Sequence, residues 1–251
     1  KLVSKTYPDA DIIRVYEKDV STENMYFGLN NSRNDAGITY LLPAQKTCAL
    51  IGNGGILLNS SCGEEINSNN FVVRCNIPVI TGYEQDVGNK TNVTIINRAT
   101  MMQLYRMSHR RKQKQLPNFL NNYVSLNNTI LWYPGVSSVP VRQRSIAYLK
   151  SRLDLVYEVA YTAQRSFIPN VKRFLHLRRL PSTGLRTMVL ALSLCDVITM
   201  YGFYPSLLDT AGNKVPYHYY GSNAAIDDFK AAHNWTAEFS LLESLHRDGT
   251  V

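Results

Sequence analysis

Two histidines near the end of this 251-residue chain stand in aromatic company. His218 lies in Tyr217-His218-Tyr219-Tyr220-Gly221, and His233 opens His233-Asn234-Trp235-Thr236-Ala237-Glu238-Phe239. Imidazole exchanges a proton near neutral pH, so such a pair can supply a base and a proton or hydrogen-bond donor. Either ring alone can equally be a packed one. Further upstream, Pro181-Ser182-Thr183-Gly184 follows Arg178 and Arg179. A hydroxyl residue at a helix start caps free N–H groups, and the same groups can hold an anion. Gly52-Asn53-Gly54-Gly55 follows the apolar run Cys48-Ala49-Leu50-Ile51. After a strand, such a turn lets a phosphate or sugar approach the backbone. A dinucleotide fingerprint wants a third glycine where Leu57 stands, so NAD is not indicated. A plain tight turn is the other reading. Asp9-Ala10-Asp11 has the spacing of a metal-bound nucleotide-sugar site, but it precedes the first strand of the regular pattern.

The elements that must position these groups follow from periodicity. Short runs rich in Val, Ile, Leu and aromatics predict strands at 48–51, 71–74, 92–96, 129–133, 155–159 and 196–201. Helical spacing predicts helices at 145–153 and 183–194; in the latter, Leu185, Met188, Val189 and Leu192 share one face. Strands alternating with helices imply an α/β fold. It is read as a single Rossmann-like nucleotide-binding domain, with a mostly parallel sheet covered on both faces. Residues 1–45 are polar and irregular and read as a variable N-terminal region, with the domain at 46–251.

Composition narrows the partners. Lys and Arg number 27 against 19 Asp and Glu, a net charge of +8, and the pI is near 9.3. The surplus favours anionic partners. It gathers at Arg106, Arg110, Arg111, Lys112 and Lys114 and at Lys172, Arg173, Arg178 and Arg179, where a solvated face is the plainer reading. No aromatic-basic motif supports nucleic acid. No 18-residue apolar run or signal peptide is visible. Sequons at Asn30, Asn59, Asn89, Asn92, Asn127 and Asn234 point to the secretory pathway, where disulfides can form. The four cysteines lack C-x-x-C spacing, which argues against zinc.

In this order the pieces resemble the sialylmotifs of the animal sialyltransferases. The long motif resembles residues 48–94, through "CALIGNGGILLNSSCGEEI", "FVVRCN" and "DVGNKTNVT". The short motif resembles "LPSTGLRTMVLALSLCDVITMYGFYP", 180–205; the third resembles His218-Tyr219-Tyr220; the very short motif resembles His233 with Glu238. "NSSCGEEI", "RCN" and "HYY" are most similar to the α2,8 branch, which adds sialic acid to sialic acid. "YHYY" and "AEFSLLESLH" are similar to its oligo- and polysialylating members.

The resemblance implies a variant of the GT-A fold, with a stem-proximal region at 1–45 and the catalytic domain at 46–251. It implies inverting transfer from CMP-sialic acid, with no metal or other cofactor. Asn53 and Asn76 would contact the nucleotide, Ser182, Thr183 and Gly184 would cradle it, and Tyr204 would line its pocket. His218 would donate a proton or hydrogen bond to the phosphate as charge grows on the leaving CMP. His233 would take the acceptor hydroxyl's proton, while Glu238 would support local structure. A Cys48–Cys195 disulfide is implied, with Cys75 a buried thiol. The acceptor would be a sialylated glycoprotein or glycolipid, and the place the Golgi lumen, on a type II membrane protein whose anchor lies outside this sequence. Another linkage (α2,3 or α2,6), or an inactive relative that binds sialoglycans, are the alternatives.

Overall fold

A computed structural model describes residues 14–16, 38–40, 42–109, 123–126, 128–134, 139–152, 158–161, 171–173, 175–221 and 233–249. Among the described residues eight strands form one sheet: β1 Arg14–Tyr16, β2 Ile38–Tyr40, β3 Gln45–Ile51, β4 Phe71–Cys75, β5 Val93–Ile95, β6 Ile130–Tyr133, β7 Glu158–Tyr161 and β8 Cys195–Tyr201. Their order is β2-β1-β7-β6-β5-β4-β3-β8. The strands from β7 through β8 are all parallel. β1 runs antiparallel to β7, and β2 antiparallel to β1.

The central strands are continuous apolar runs because both faces are covered. Cys48 and Leu50 of β3, with Val73, Cys75 and Trp132, pack under Leu185, Met188 and Val189 of a helix, α5 (Thr183–Leu194), and Leu245 of α6 (Trp235–Arg247). Ala49 and Ile51, one residue out of phase, meet Ile66 of α1 (Gly63–Ser68) and Val87 of α2 (Glu84–Val87) on the other face. Leu131 and Tyr133 pack on that side against Met101 and Leu104 of α3 (Arg98–Ser108) and Ile146 and Leu149 of α4 (Val139–Arg152). The expected mostly parallel sheet with helices on both faces is what the chain forms.

Several boundaries differ from the sequence reading: β3 begins at Gln45 rather than Cys48, other strand ends move by one residue, and three differences are larger in kind. The strand expected at 155–159 lies at Glu158–Tyr161. The helix expected from 145 begins at Val139, since Pro140 falls in its first turn, where no N–H is needed. Within 1–45, read as loop, β1 and β2 extend the sheet. At three residues each they are too short for alternation to be visible.

Arg74 fixes the α2–β5 loop. Its guanidinium is fully buried and donates to the carbonyls of Val87, Gly88 and Lys90 and to Thr91 Oγ1. Burial lowers its pKa to about 10. A Cys48–Cys195 disulfide joins β3 to the start of β8, with Cα atoms 6.0 Å apart, and Cys75 is a buried thiol.

From β3 to β7 each new strand is laid on the same side, and β8 returns to the other side of β3. This reversal makes a switch point at the carboxyl ends of β3 and β8, the place where open α/β sheets bind ligands.

Candidate active site

The glycine turn sits at that switch point, and its glycines answer first to the protein's own backbone. Gly52 N–H donates to Tyr201 O (2.7 Å), Gly54 N–H to Gly202 O (3.1 Å) and Gly55 N–H to Pro216 O (3.1 Å). A Cβ on Gly52 or Gly54 would stand 2.5 or 2.6 Å from Gly202 O, and one on Gly55 would strike Pro216 O. Three segments therefore converge here, which no side chain at these positions would permit. What the turn offers a ligand is Asn53. Its Nδ2 donates to Cys75 O at 3.0 Å, while Oδ1 is buried with no partner. A buried acceptor in that state calls for a donor, such as a ligand hydroxyl or amine.

Asn76, at the end of β4, has the complementary arrangement. Its Oδ1 accepts from Asn97 N–H at 3.1 Å, which leaves the Nδ2 hydrogens as donors. Asn76 and Ile77 both have positive φ, 62° and 55°. For a β-branched residue this conformation is strained, at a cost of about 1–3 kcal/mol. Burial of the Ile77 side chain against the α3–α4 core holds it there.

Ser182 caps α5: its Oγ accepts from Leu185 N–H at 3.1 Å. Its own N–H donates to Glu238 Oε1 at 2.9 Å. Thr183 and Gly184 follow in the first turn of the helix, where backbone N–H groups have no intrahelical acceptor. Phe203, just past β8, packs where a Cβ of Gly184 would lie, so the helix start is drawn onto the switch point. Of the three residues expected to cradle a nucleotide, Ser182 sets the helix start, and Thr183 and Gly184 carry the open donors.

His233 is fixed from both sides. Its Nδ1 lies 2.8 Å from Leu180 O. A carbonyl only accepts, so Nδ1 carries a proton, which in the neutral ring leaves the lone pair on Nε2. The Trp235 ring meets the imidazole edge-on at 5.2 Å, and Arg179 Nη1 donates to His233 O at 3.3 Å. Asn234 caps α6 through Ala237 N–H. Glu238, one turn on, is 5% exposed, and burial raises its pKa against the pull of Ser182, His233 and Arg186. Glu238 thus anchors the start of α5.

His218 stands between Tyr217 (ring centroids 4.4 Å) and Tyr220 (5.5 Å, stacked). Burial lowers its pKa below the ordinary imidazole value. Tyr219, next along, turns inward, with its hydroxyl on Val79 O and its N–H on Asn53 O (3.0 Å), and so ties His218 to the glycine turn. Tyr204 is half-buried beyond β8, its hydroxyl donating to Leu208 O.

Asn53, His218 and the start of α5 thus lie about the carboxyl ends of β3 and β8, with Tyr204 three residues past β8 and His233 docked on the residues preceding α5. The sequence marks Arg179 only as one of a basic cluster; its bond to His233 O, and that of His233 to Leu180 O, end on backbone carbonyls that carry no signature in spacing. Asp9 and Asp11, and the basic run at 110–114, lie outside the described residues. Among the described residues no group of three or more His, Cys, Asp or Glu could hold a metal ion. No helix among them is long and apolar enough to cross a membrane.

The sequence model of glycosyltransferase family 29 (sialyltransferase) matches residues 21–250. The chain belongs to this family. It is 32% identical over 214 residues to the alpha-N-acetylneuraminide alpha-2,8-sialyltransferase of Xenopus tropicalis, covering 82% of this chain and 59% of that protein. To the Xenopus laevis protein of the same name it is 33% identical over 229 residues, covering 82% and 57%. The chain thus spans under three fifths of the length of these relatives. The crystal structure of a mammalian sialyltransferase superposes with a TM-score of 0.55 at 22% identity, covering 80% of this chain and 66% of that one. The same holds, at 23% identity, for a mammalian sialyltransferase in complex with Gal-beta-1-3GalNAc-ortho-nitrophenol. That likeness is one of fold.

Proposed function

We propose that this chain transfers sialic acid from CMP-sialic acid to the terminal sialic acid of a glycan, with inversion, forming an α2,8 linkage. The observation that carries the chemistry is the tautomer of His233. With its Nδ1 proton committed to Leu180 O, the imidazole presents a basic Nε2. The acceptor class rests on the names of the relatives.

CMP-sialic acid lies in the crevice between the ends of β3 and β8. Asn53 Oδ1 accepts a donor from the nucleoside, and Tyr204 lines the pocket. The Asn76 amide and the N–H groups of Thr183 and Gly184 turn toward phosphate. As the glycosidic C–O bond breaks, charge grows on the departing CMP, and the His218 N–H meets it. Nε2 of His233 takes the proton of the acceptor hydroxyl as its oxygen attacks the opposite face of the anomeric carbon. His218 and the helix start do the work of a cation, so no metal is required. The catalytic domain takes in β1 and β2 together with residues 46–251, and it works in the Golgi lumen as part of a type II membrane protein. The acceptor is borne by a glycoprotein or glycolipid.

The test is transfer from CMP-sialic acid to sialyllactose and to lactose, read as CMP release and product linkage, with and without EDTA. Release should require sialyllactose, give an α2,8 product and survive chelation. His233→Ala should lower kcat about 100-fold or more with little change in CMP affinity. Transfer to lactose alone would mean another linkage. CMP binding without release on either acceptor would mean a glycan-binding relative.

A further inference from the structure

Two side-chain amides meet the carboxyl end of β4, and each is turned by a bond to the backbone. Asn53 Nδ2 donates to Cys75 O at 3.0 Å. On the next residue, Asn76 Oδ1 accepts from Asn97 N–H at 3.1 Å. Asn97 opens α3 and serves twice. Its side-chain Oδ1 accepts from Thr100 N–H at 2.8 Å, the N-cap bond of that helix. Its own N–H stands ahead of the helical ladder, so it is available to Asn76. The Asn76 backbone is held as firmly, with its N–H on Ile95 O at 2.7 Å and Ile77 buried against the α3–α4 core. What is left to set is the direction of the Asn76 amide, whose two ends are opposite in character. A backbone N–H only donates, so the amide oxygen faces Asn97 and Nδ2 faces away from it.

We infer that Asn97 is a positioning residue for the donor site: its backbone N–H holds Asn76 Oδ1 and thereby turns Nδ2 toward the phosphate. This rests on the reading that CMP-sialic acid lies at the ends of β3 and β8 with its phosphate at Asn76. An amide rotated by half a turn would present oxygen to the phosphate and replace attraction with repulsion. With Asn97 in place the productive rotamer is selected on folding, before the ligand arrives. Asn97 acts only through Asn76, since its own side-chain oxygen is committed to α3.

The experiment separates the N–H of Asn97 from its cap. Asn97→Pro removes both, and the φ of −89° at this residue lies close to the value that a proline ring imposes. Asn97→Ala removes the cap and keeps the N–H. Both should lower Tm, but Asn97→Pro should raise the Kd of CMP by about five-fold or more relative to Asn97→Ala. In an Asn76→Ala background the two should bind CMP within about two-fold of each other, because the group they act through is gone. A second comparison does not need proline to be accommodated. Asn76→Asp keeps one oxygen on Asn97 N–H and turns the other, charged, toward the phosphate, so it should bind CMP more weakly than Asn76→Ala. The inference is overturned if folded Asn97→Pro and Asn97→Ala bind CMP alike, or if their difference persists in the Asn76→Ala background. It is overturned equally if Asn76→Asp binds CMP as well as Asn76→Ala does. Wild-type affinity in Asn76→Ala itself overturns the placement of the phosphate at Asn76, and that result is distinct from the other three.

Discussion

His218 lies between two tyrosine rings, and burial draws its pKa below the ordinary value of 6.5. The neutral ring therefore dominates in the free protein at neutral pH. The sign follows from linkage. The folded pKa lies below that of the unfolded chain, so the unfolded chain binds the extra proton on acidification. Stability falls as the pH drops through the ordinary imidazole range. A phosphate bound beside the ring acts in the other direction, stabilising imidazolium and drawing a proton in. Titration of CMP into the protein, in buffers of different ionisation enthalpy, should reveal proton uptake that His218→Asn diminishes. CMP's own ionisation is common to both proteins and cancels in the comparison. Equal uptake would take His218 out of the phosphate site. The residue's type was enough to mark it as a candidate in the sequence. The tautomer of His233 was not legible there, because it depends on a backbone carbonyl that every residue possesses.

α5 and α6 meet at their first turns, where the hydrogen bonds Ser182 N–H to Glu238, His233 Nδ1 to Leu180 O and Arg179 to His233 O join them. Glu238 is the member whose side chain can be varied while the atoms of the His233 Nδ1 to Leu180 O bond stay in place. Removing it leaves Ser182 N–H buried and unpaired, a cost of about 1–3 kcal/mol. It also frees the Leu180 segment that orients the base. Glu238→Ala should therefore lower kcat about ten-fold or more at nearly unchanged KM for CMP-sialic acid, while Glu238→Gln, which keeps the acceptor oxygen, should recover most of it. If Ala and Gln lose activity equally, the carboxylate's charge matters and the positioning role fails. The bounds of α5 matched the sequence because Ser182 caps it and its apolar residues recur at helical spacing. β1 and β2 were missed because they are held by backbone pairing at the margin of a sheet whose pattern lies elsewhere.

At the scale of the molecule, the crevice depends on β3 and β8 staying side by side, and two independent devices keep them so. One is the parallel ladder, in register from Gln45↔Cys195 to Ile51↔Tyr201. The other is the Cys48–Cys195 disulfide, which closes a loop of 147 residues. The two act on different states. The ladder exists only in the folded protein, whereas the disulfide restricts the unfolded chain, by about 5 kcal/mol in the chain-entropy model for a loop of this length. The disulfide joins the middle of β3 to the amino end of β8, away from the turns at Gly52 and Gly202 that shape the crevice. Its loss should therefore cost stability and leave the site intact. Replacing both cysteines with alanine should lower Tm by about 10 °C, taking about 2–4 °C per kcal/mol for a chain of this size and some shortfall from the model value. The affinity for CMP, measured well below the new Tm, should stay within about three-fold of wild type. An unchanged Tm would mean that the ladder alone sets the stability of the β3–β8 pair. A large loss of CMP affinity at unchanged Tm would mean that the covalent link shapes the crevice itself.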